Sequence, residues 1–162
     1  MTNFSAVLSL LLLLAGAAQA QPACPVPPAA GVTNVALTSA TASPELEPAR
    51  LALDQAVTVT LHPVGEVRFV TAPEKRGDAS SFGGMLAVDV REAGTYQVAL
   101  SAGTWIDVLK DGAAVASTAH DHGAECSGFR KMVSFALMSG RHVIQLSGNR
   151  DETVRVMVSR KQ

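Results

Sequence analysis

The sequence predicts an all-β fold, an antiparallel β-sandwich of jelly-roll-like form built from eight or nine short strands. Three observations carry that expectation. Apolar residues recur with period two in segment after segment, which is the spacing of a strand with one face in a core. Glycine and polar turn residues punctuate those segments at short, regular intervals. No stretch holds helical periodicity over three turns; Pro48 to Gln55 suffices for one turn and no more.

The first twenty residues are expected to be an address rather than structure. Met1 to Ser5 is a short polar start, Ala6 to Ala18 is an apolar run dominated by Leu10 to Leu14, and Ala18-Gln19-Ala20 matches a small-x-small cleavage pattern. The apolar stretch is shorter than the roughly 20 residues of a membrane span, and no basic stop follows it. Export to the periplasm or beyond, with no transmembrane anchor after cleavage, is therefore expected. Residues 21–48 are rich in Pro, Ala, Ser and Thr and read as an arm, although Val32 to Leu37 has the composition of an edge strand. The sandwich domain is then expected over 49–162.

Within it the alternation runs through Val57, Val59 and Leu61, then Val67 and Phe69 around Arg68. Leu86, Val88 and Val90 follow, then Tyr96, Val98 and Leu100, and Ile106 with Val108. Asp111-Gly112 is a hairpin signal. Val133, Phe135 and Leu137, Ile144 and Leu146, and Val154, Val156 and Val158 complete the series. Between Ala72 and Gly84 the pattern lapses into charges, glycines and Ser80-Ser81, the composition of an exposed, mobile loop of the kind that carries binding surfaces. Gly94-Thr95-Tyr96-Gln97-Val98-Ala99-Leu100-Ser101 has the same pattern as Gly140-Arg141-His142-Val143-Ile144-Gln145-Leu146-Ser147. His142 stands where Tyr96 stands, on the face of Ile144 and Leu146, and reads as a ring packed at the rim of the sheet.

Charge narrows the function classes. With 13 basic against 14 acidic residues and a net charge of −1, nothing points to nucleic acid or to an anionic membrane surface. One Trp and one Tyr offer no aromatic platform for stacked sugars or bases. Ser127 beside Gly128 lacks a nucleophile elbow, and Ser80-Ser81 has no paired base. Asp89, Asp107 and Asp111 are spaced as outward or turn residues, and Arg130-Lys131 reads as the solvated start of a strand.

The densest chemistry lies in His120-Asp121-His122-Gly123-Ala124-Glu125-Cys126. His120 and His122 are two residues apart, so an extended backbone would put both imidazoles on one face. Glu125 or Cys126, returning through Gly123, would add a third ligand, with His142 as a further candidate. Thiolate with imidazoles suits copper or zinc; Glu125 with His120, His122 and His142 suits non-haem iron. The rival use of Cys126 is a disulfide to Cys24, the only other cysteine, as expected for an even count in an oxidising compartment. That bridge would close a loop of about 100 residues, worth about 4–5 kcal/mol in the chain-entropy model.

Two resemblances follow from these segments. Leu51-Ala52-Leu53-Asp54-Gln55-Ala56-Val57-Thr58-Val59-Thr60-Leu61, the Gly94-Thr95-Tyr96 strand and the Gly140-Arg141-His142 strand together resemble the bacterial pre-peptidase C-terminal domain and its relatives, over about Leu51 to Ser159. That resemblance implies a small secreted β-sandwich acting as a non-catalytic binding or targeting unit. The chain also resembles short exported proteobacterial proteins that carry the name homogentisate 1,2-dioxygenase. This implies a cupin-like comparison, His-x-His followed by Glu and a later His. Here Glu125 comes one residue too early after His120-Asp121-His122, and Ser139-Gly140-Arg141-His142 has one residue too few between Gly and His. The leading expectation is an exported, non-catalytic binding or accessory protein that meets a ligand or protein partner through its loops. The alternative is a metal-dependent protein using the His120/His122 segment, for metal handling or as a non-haem iron dioxygenase.

Overall fold

A computed structural model describes residues 35–124 and 126–161. The expected leader, Cys24 and Glu125 lie outside the described residues. Among the described residues twelve strands form, in chain order: β1 (Val35–Thr38), β2 (Arg50–Leu51), β3 (Val57–Thr60), β4 (His62–Pro63), β5 (Phe82–Val90), β6 (Gly94–Leu100), β7 (Trp105–Lys110), β8 (Ala113–Val115), β9 (Ser117–Asp121), β10 (Lys131–Leu137), β11 (Gly140–Asn149) and β12 (Thr153–Arg160). One sheet has the order β1-β3-β12-β6-β10-β9, the other β2-β5-β11-β7-β8, with β4 paired to β5 beside that path. Leaving out β1, β2, β4 and β9, the remaining eight strands are ordered first-eighth-third-sixth and second-seventh-fourth-fifth. That is the jelly roll, in which the chain crosses between sheets so that its first and last strands become neighbours.

The alternation builds the core directly. Val57 and Val59, Tyr96, Val98 and Leu100, Val133, Phe135 and Leu137, and Val154, Val156 and Val158 enter from the first sheet. Leu86, Val88 and Val90, Ile106 and Val108, and Ile144 and Leu146 meet them from the second. Thr58, Thr60, Arg155, Met157 and Ser159, at the alternate positions, are only partly covered. Asp111 and Gly112 both have positive φ, 52° and 80°, the backbone of a two-residue hairpin turn whose twist matches its strands.

Three expectations are corrected. The sandwich begins before residue 49: β1 pairs with β3, and Ala40, Leu46 and Ala49 are buried in the core. The sheets are mixed at their edges, because β1 runs parallel to β3 and β2 parallel to β5. Val67 and Phe69 contribute no strand; Val67 is buried and Phe69 packs against the core from irregular backbone.

The segment 67–81 is also more than an exposed loop. It straps across the outer face of the second sheet. Gln145 is 1% exposed; its Oε1 accepts from the Thr71 N–H at 3.2 Å and its Nε2 donates to the Thr71 carbonyl at 2.9 Å. Ser147, fully buried, donates its hydroxyl to the Lys75 carbonyl at 2.7 Å, and the Thr71 hydroxyl donates to the Gly112 carbonyl at 2.8 Å. Phe82, Gly83 and Gly84 already belong to β5. Buried side chains that bond the backbone of a crossing segment in this way fix a loop without any ladder of its own.

Replacing Gln145 by Ala removes the partners of both the Thr71 N–H and the Thr71 carbonyl. The expected loss is about 1–3 kcal/mol, seen as a drop of several degrees in the thermal midpoint. Limited proteolysis should show new cleavage within 68–80. An unchanged midpoint and an unchanged cleavage pattern would show that the strap does not depend on Gln145.

Candidate functional site

β7 carries the sequence Trp105-Ile106-Asp107-Val108-Leu109-Lys110. Ile106 and Val108 turn into the core, so Trp105 and Asp107 share the opposite face, the one over which the strap runs. There the indole Nε1 donates to Asp107 Oδ1 at 3.0 Å. Across β11 the register sets Ser147 opposite Trp105 and Gln145 opposite Asp107. The two residues that hold the strap are thus the neighbours of this pair, and the Ser147 bond fastens Lys75 in place. Lys75 Nζ lies 4.4 Å from the centre of the Trp105 ring.

A second ammonium arrives from the other sheet. Lys131 opens β10 on the face of Val133 and Phe135; its Nζ donates to the Thr104 carbonyl at 2.8 Å and stands 5.2 Å from the Trp105 ring centre. Burial pushes the Lys131 amine below its usual value, the charge of Lys75 pushes it the same way, and Asp107 pulls it back. The reading of Lys131 as a solvated strand start is therefore corrected: its stem is partly buried and its amine has two fixed neighbours.

Around this group lies a cleft of about 470 Å³, bounded by Glu74, Trp105, Asp107, His120 and Lys131, with Ala114 to Ala116, Val133 and Phe135 as its apolar wall. Asp107 lines it, and its Oδ2 is buried and meets no hydrogen-bond donor among the described residues. A hollow of about 420 Å³ also opens beside Gly77, Asp78, Ser80, Ser81, Gly148 and Arg150. Its Asp78 already accepts from the Ser80 N–H and hydroxyl at 3.0 and 2.7 Å, which holds the carboxyl below its ordinary range.

The histidine segment is divided by the fold. β9 ends at Asp121, and His120 pairs opposite Val133, so its ring faces the cleft, with Nε2 3.4 Å from the Ser117 hydroxyl. His122 lies beyond the strand, its Nδ1 3.2 Å from the Arg130 carbonyl. The turn that follows is tight: a Cβ on Gly123 would lie 2.0 Å from the Phe129 carbonyl oxygen. Cys126 is not a free thiol. His142 enters β11 just before Val143, which pairs with Leu109, whereas Lys131 and the cleft lie at the Trp105 end of β7. Among the described residues no three of His, Cys, Asp and Glu are gathered as a metal site would need.

His142 is buried on the core side, as the echo of Tyr96 predicts. The Tyr96 hydroxyl donates to the Glu92 carbonyl at 2.9 Å; His142 Nδ1 lies 3.2 Å from the Gly140 carbonyl, and its Nε2 is buried with no partner. Among the described residues no helix is long and apolar enough to cross a membrane. A comparison with known protein families finds no model that matches the chain, and none of the curated proteins matches it.

The sequence assigned no functional role to Trp105, Lys75, Asp107 or Lys131. The one legible signal was Trp-x-Asp at i and i+2, which places an indole donor and a carboxylate on one face of a strand. The two lysines are distant in sequence, and only the strap and the packing of the sheets bring them to that face.

Burial lowers the His142 imidazole below its ordinary value of about 6.5; the Gly140 carbonyl and Asp111 oppose the shift and Lys110 adds to it. The folded protein therefore keeps a neutral ring, while the unfolded chain takes up a proton as pH falls through about 6.5. Stability from this residue is complete above that pH and is lost as pH drops towards the lower folded value. The thermal midpoint should fall more between pH 8 and pH 5 in the wild type than in His142→Leu. Equal falls would remove His142 from the pH response.

Proposed function

We propose that this chain is an exported, non-catalytic β-sandwich binding protein, and that its ligand is a small anion held in the cleft at Trp105. The observation that carries this reading is the pair of ammonium groups, Lys75 and Lys131, set over one indole at 4.4 and 5.2 Å. Neither lysine has a carboxylate within ion-pair distance among the described residues. Two cations drawn to one indole, that of Lys131 partly buried in the cleft and that of Lys75 near enough to act on it, attract an anion more strongly than either would alone in water. The volume is that of a small-molecule site, about 300–1,000 Å³. Export rests on the apolar leader and its cleavage pattern.

The metal-dependent alternative retains the spacing of His120 and His122 in its support. His142 stands at the far end of β7, and the thiol of Cys126 is not free. The chain has only one other cysteine, so a bridge from Cys126 to Cys24 is part of the proposal. Such a bridge would tie residues preceding β1 to the turn before β10. Protein taken from the periplasm should then show no alkylatable thiol when denatured without reductant, and should migrate faster on a non-reducing gel. Two alkylatable thiols would refute the bridge.

Trp105 is the sole tryptophan, so its emission reports this cleft alone. Titration with low-molecular-mass carboxylates, phosphate and sulfate should give a saturable change for at least one of them. Lys75→Met combined with Lys131→Met should abolish it. No saturable response to any anion at millimolar concentration would overturn the reading.

A further inference from the structure

The cleft holds one group that an anion leaves unsatisfied. Asp107 is fixed by the indole N–H on Oδ1, while Oδ2 is buried with no donor. An ionised carboxylate only accepts, so the missing partner must be a donor, and none of the described residues supplies it. A ligand donor is charged, such as an ammonium, or neutral, such as a hydroxyl. An ammonium there would add a third cation beside Lys131 and Lys75, whose charges already oppose each other. A hydroxyl carries no such penalty. The apolar wall of Ala114, Val115, Ala116 and Phe135 suits the C–H face of a carbon chain or ring. The volume, about 470 Å³, is far larger than an inorganic anion fills.

We infer that the cleft binds a polyhydroxy carboxylate, a sugar acid, with its carboxylate between Lys75 and Lys131 and a hydroxyl donating to Asp107 Oδ2. The inference rests on the anion-binding reading above and adds the second half of the ligand. The lysines select for negative charge, and Asp107 selects among acids for those that can donate. Trp105 does both jobs at once, holding Asp107 by its N–H and presenting its ring to the ammonium groups.

The test compares acids that differ only in their donors, by titration of Trp105 emission and by calorimetry on the whole mature protein. The probes are D-gluconate and D-glucuronate against hexanoate and cyclohexanecarboxylate, with 6-aminohexanoate, D-glucose and inorganic phosphate beside them. A sugar acid should bind at least tenfold more tightly than its unhydroxylated counterpart, and glucose should bind weakly. Asp107→Asn keeps the shape but replaces the acceptor by an amide donor. It should bring sugar acid and plain acid to within about twofold of each other. Lys131→Met should weaken both.

Equal binding of gluconate and hexanoate by the wild type would overturn this inference and leave the anion reading standing. Tightest binding of 6-aminohexanoate, or of phosphate, would do the same. No binding of any acid or of phosphate would overturn both. Because the ligand comparison is made on the wild type, a poorly folded Asp107→Asn leaves the test decisive.

Discussion

Burial of β11 on both faces is the constraint on which the rest of the structure depends. Its inward row, Ile144 and Leu146, is the middle of the core between the two sheets. Its outward row contains Gln145 and Ser147, which are as thoroughly buried as the core leucines. A strand with polar residues on its outer face ordinarily shows them to water. Here they are covered by irregular chain, and each is satisfied by a backbone group of that chain. The outer face is therefore sealed by hydrogen bonds rather than by a third apolar layer. Such bonds are directional, so the sealing segment has a defined position along the strand.

That position decides the chemistry next to it. Ser147 holds the Lys75 backbone, and Lys75 reaches the Trp105 ring. Trp105 in turn orients Asp107, and Lys131 closes the group from the opposing sheet by bonding the Thr104 carbonyl. Lys75 and Lys131 are held by residues outside the cleft lining, Ser147 and Thr104, and Asp107 by the indole beside it. A site assembled from a strand, a strap and the start of a strand in the other sheet is pre-organised, which lowers the entropy lost on binding. One of its polar atoms, Asp107 Oδ2, is also buried without a partner among the described residues, which a purely structural cluster ordinarily avoids.

The two histidine environments show how the same residue type is put to different uses by burial. His120 lies on an exposed edge strand with its ring towards the cleft. His142 is enclosed at the other end of the sheet, where burial keeps it neutral and Nε2 meets no partner. Tyr96 occupies the matching place in the first sheet and meets its requirement through a carbonyl at 2.9 Å. The sandwich thus has a polar ring sealed into its rim from each sheet, one fully satisfied and one not.

The sequence by itself determined the sandwich. Period-two burial is a property of each strand alone, so Val57, Val98, Val133, Ile144 and Val156 were legible as inward residues before any pairing was known. The Asp111-Gly112 turn and the burial of His142 followed from equally local features, positive-φ chemistry and the parity of one strand. The tertiary structure alone decided where the sandwich begins, because Ala40 and Leu46 are buried by partners distant in sequence and carry no periodicity of their own. It alone decided that residues 67–81 form a strap, since Gln145 and Thr71 are joined across 74 positions. Only the tertiary structure assembled the cleft, for the same reason. Lys75, Trp105 and Lys131 lie on three separate stretches of chain, and what unites them is the crossing of the jelly roll, which no local pattern encodes.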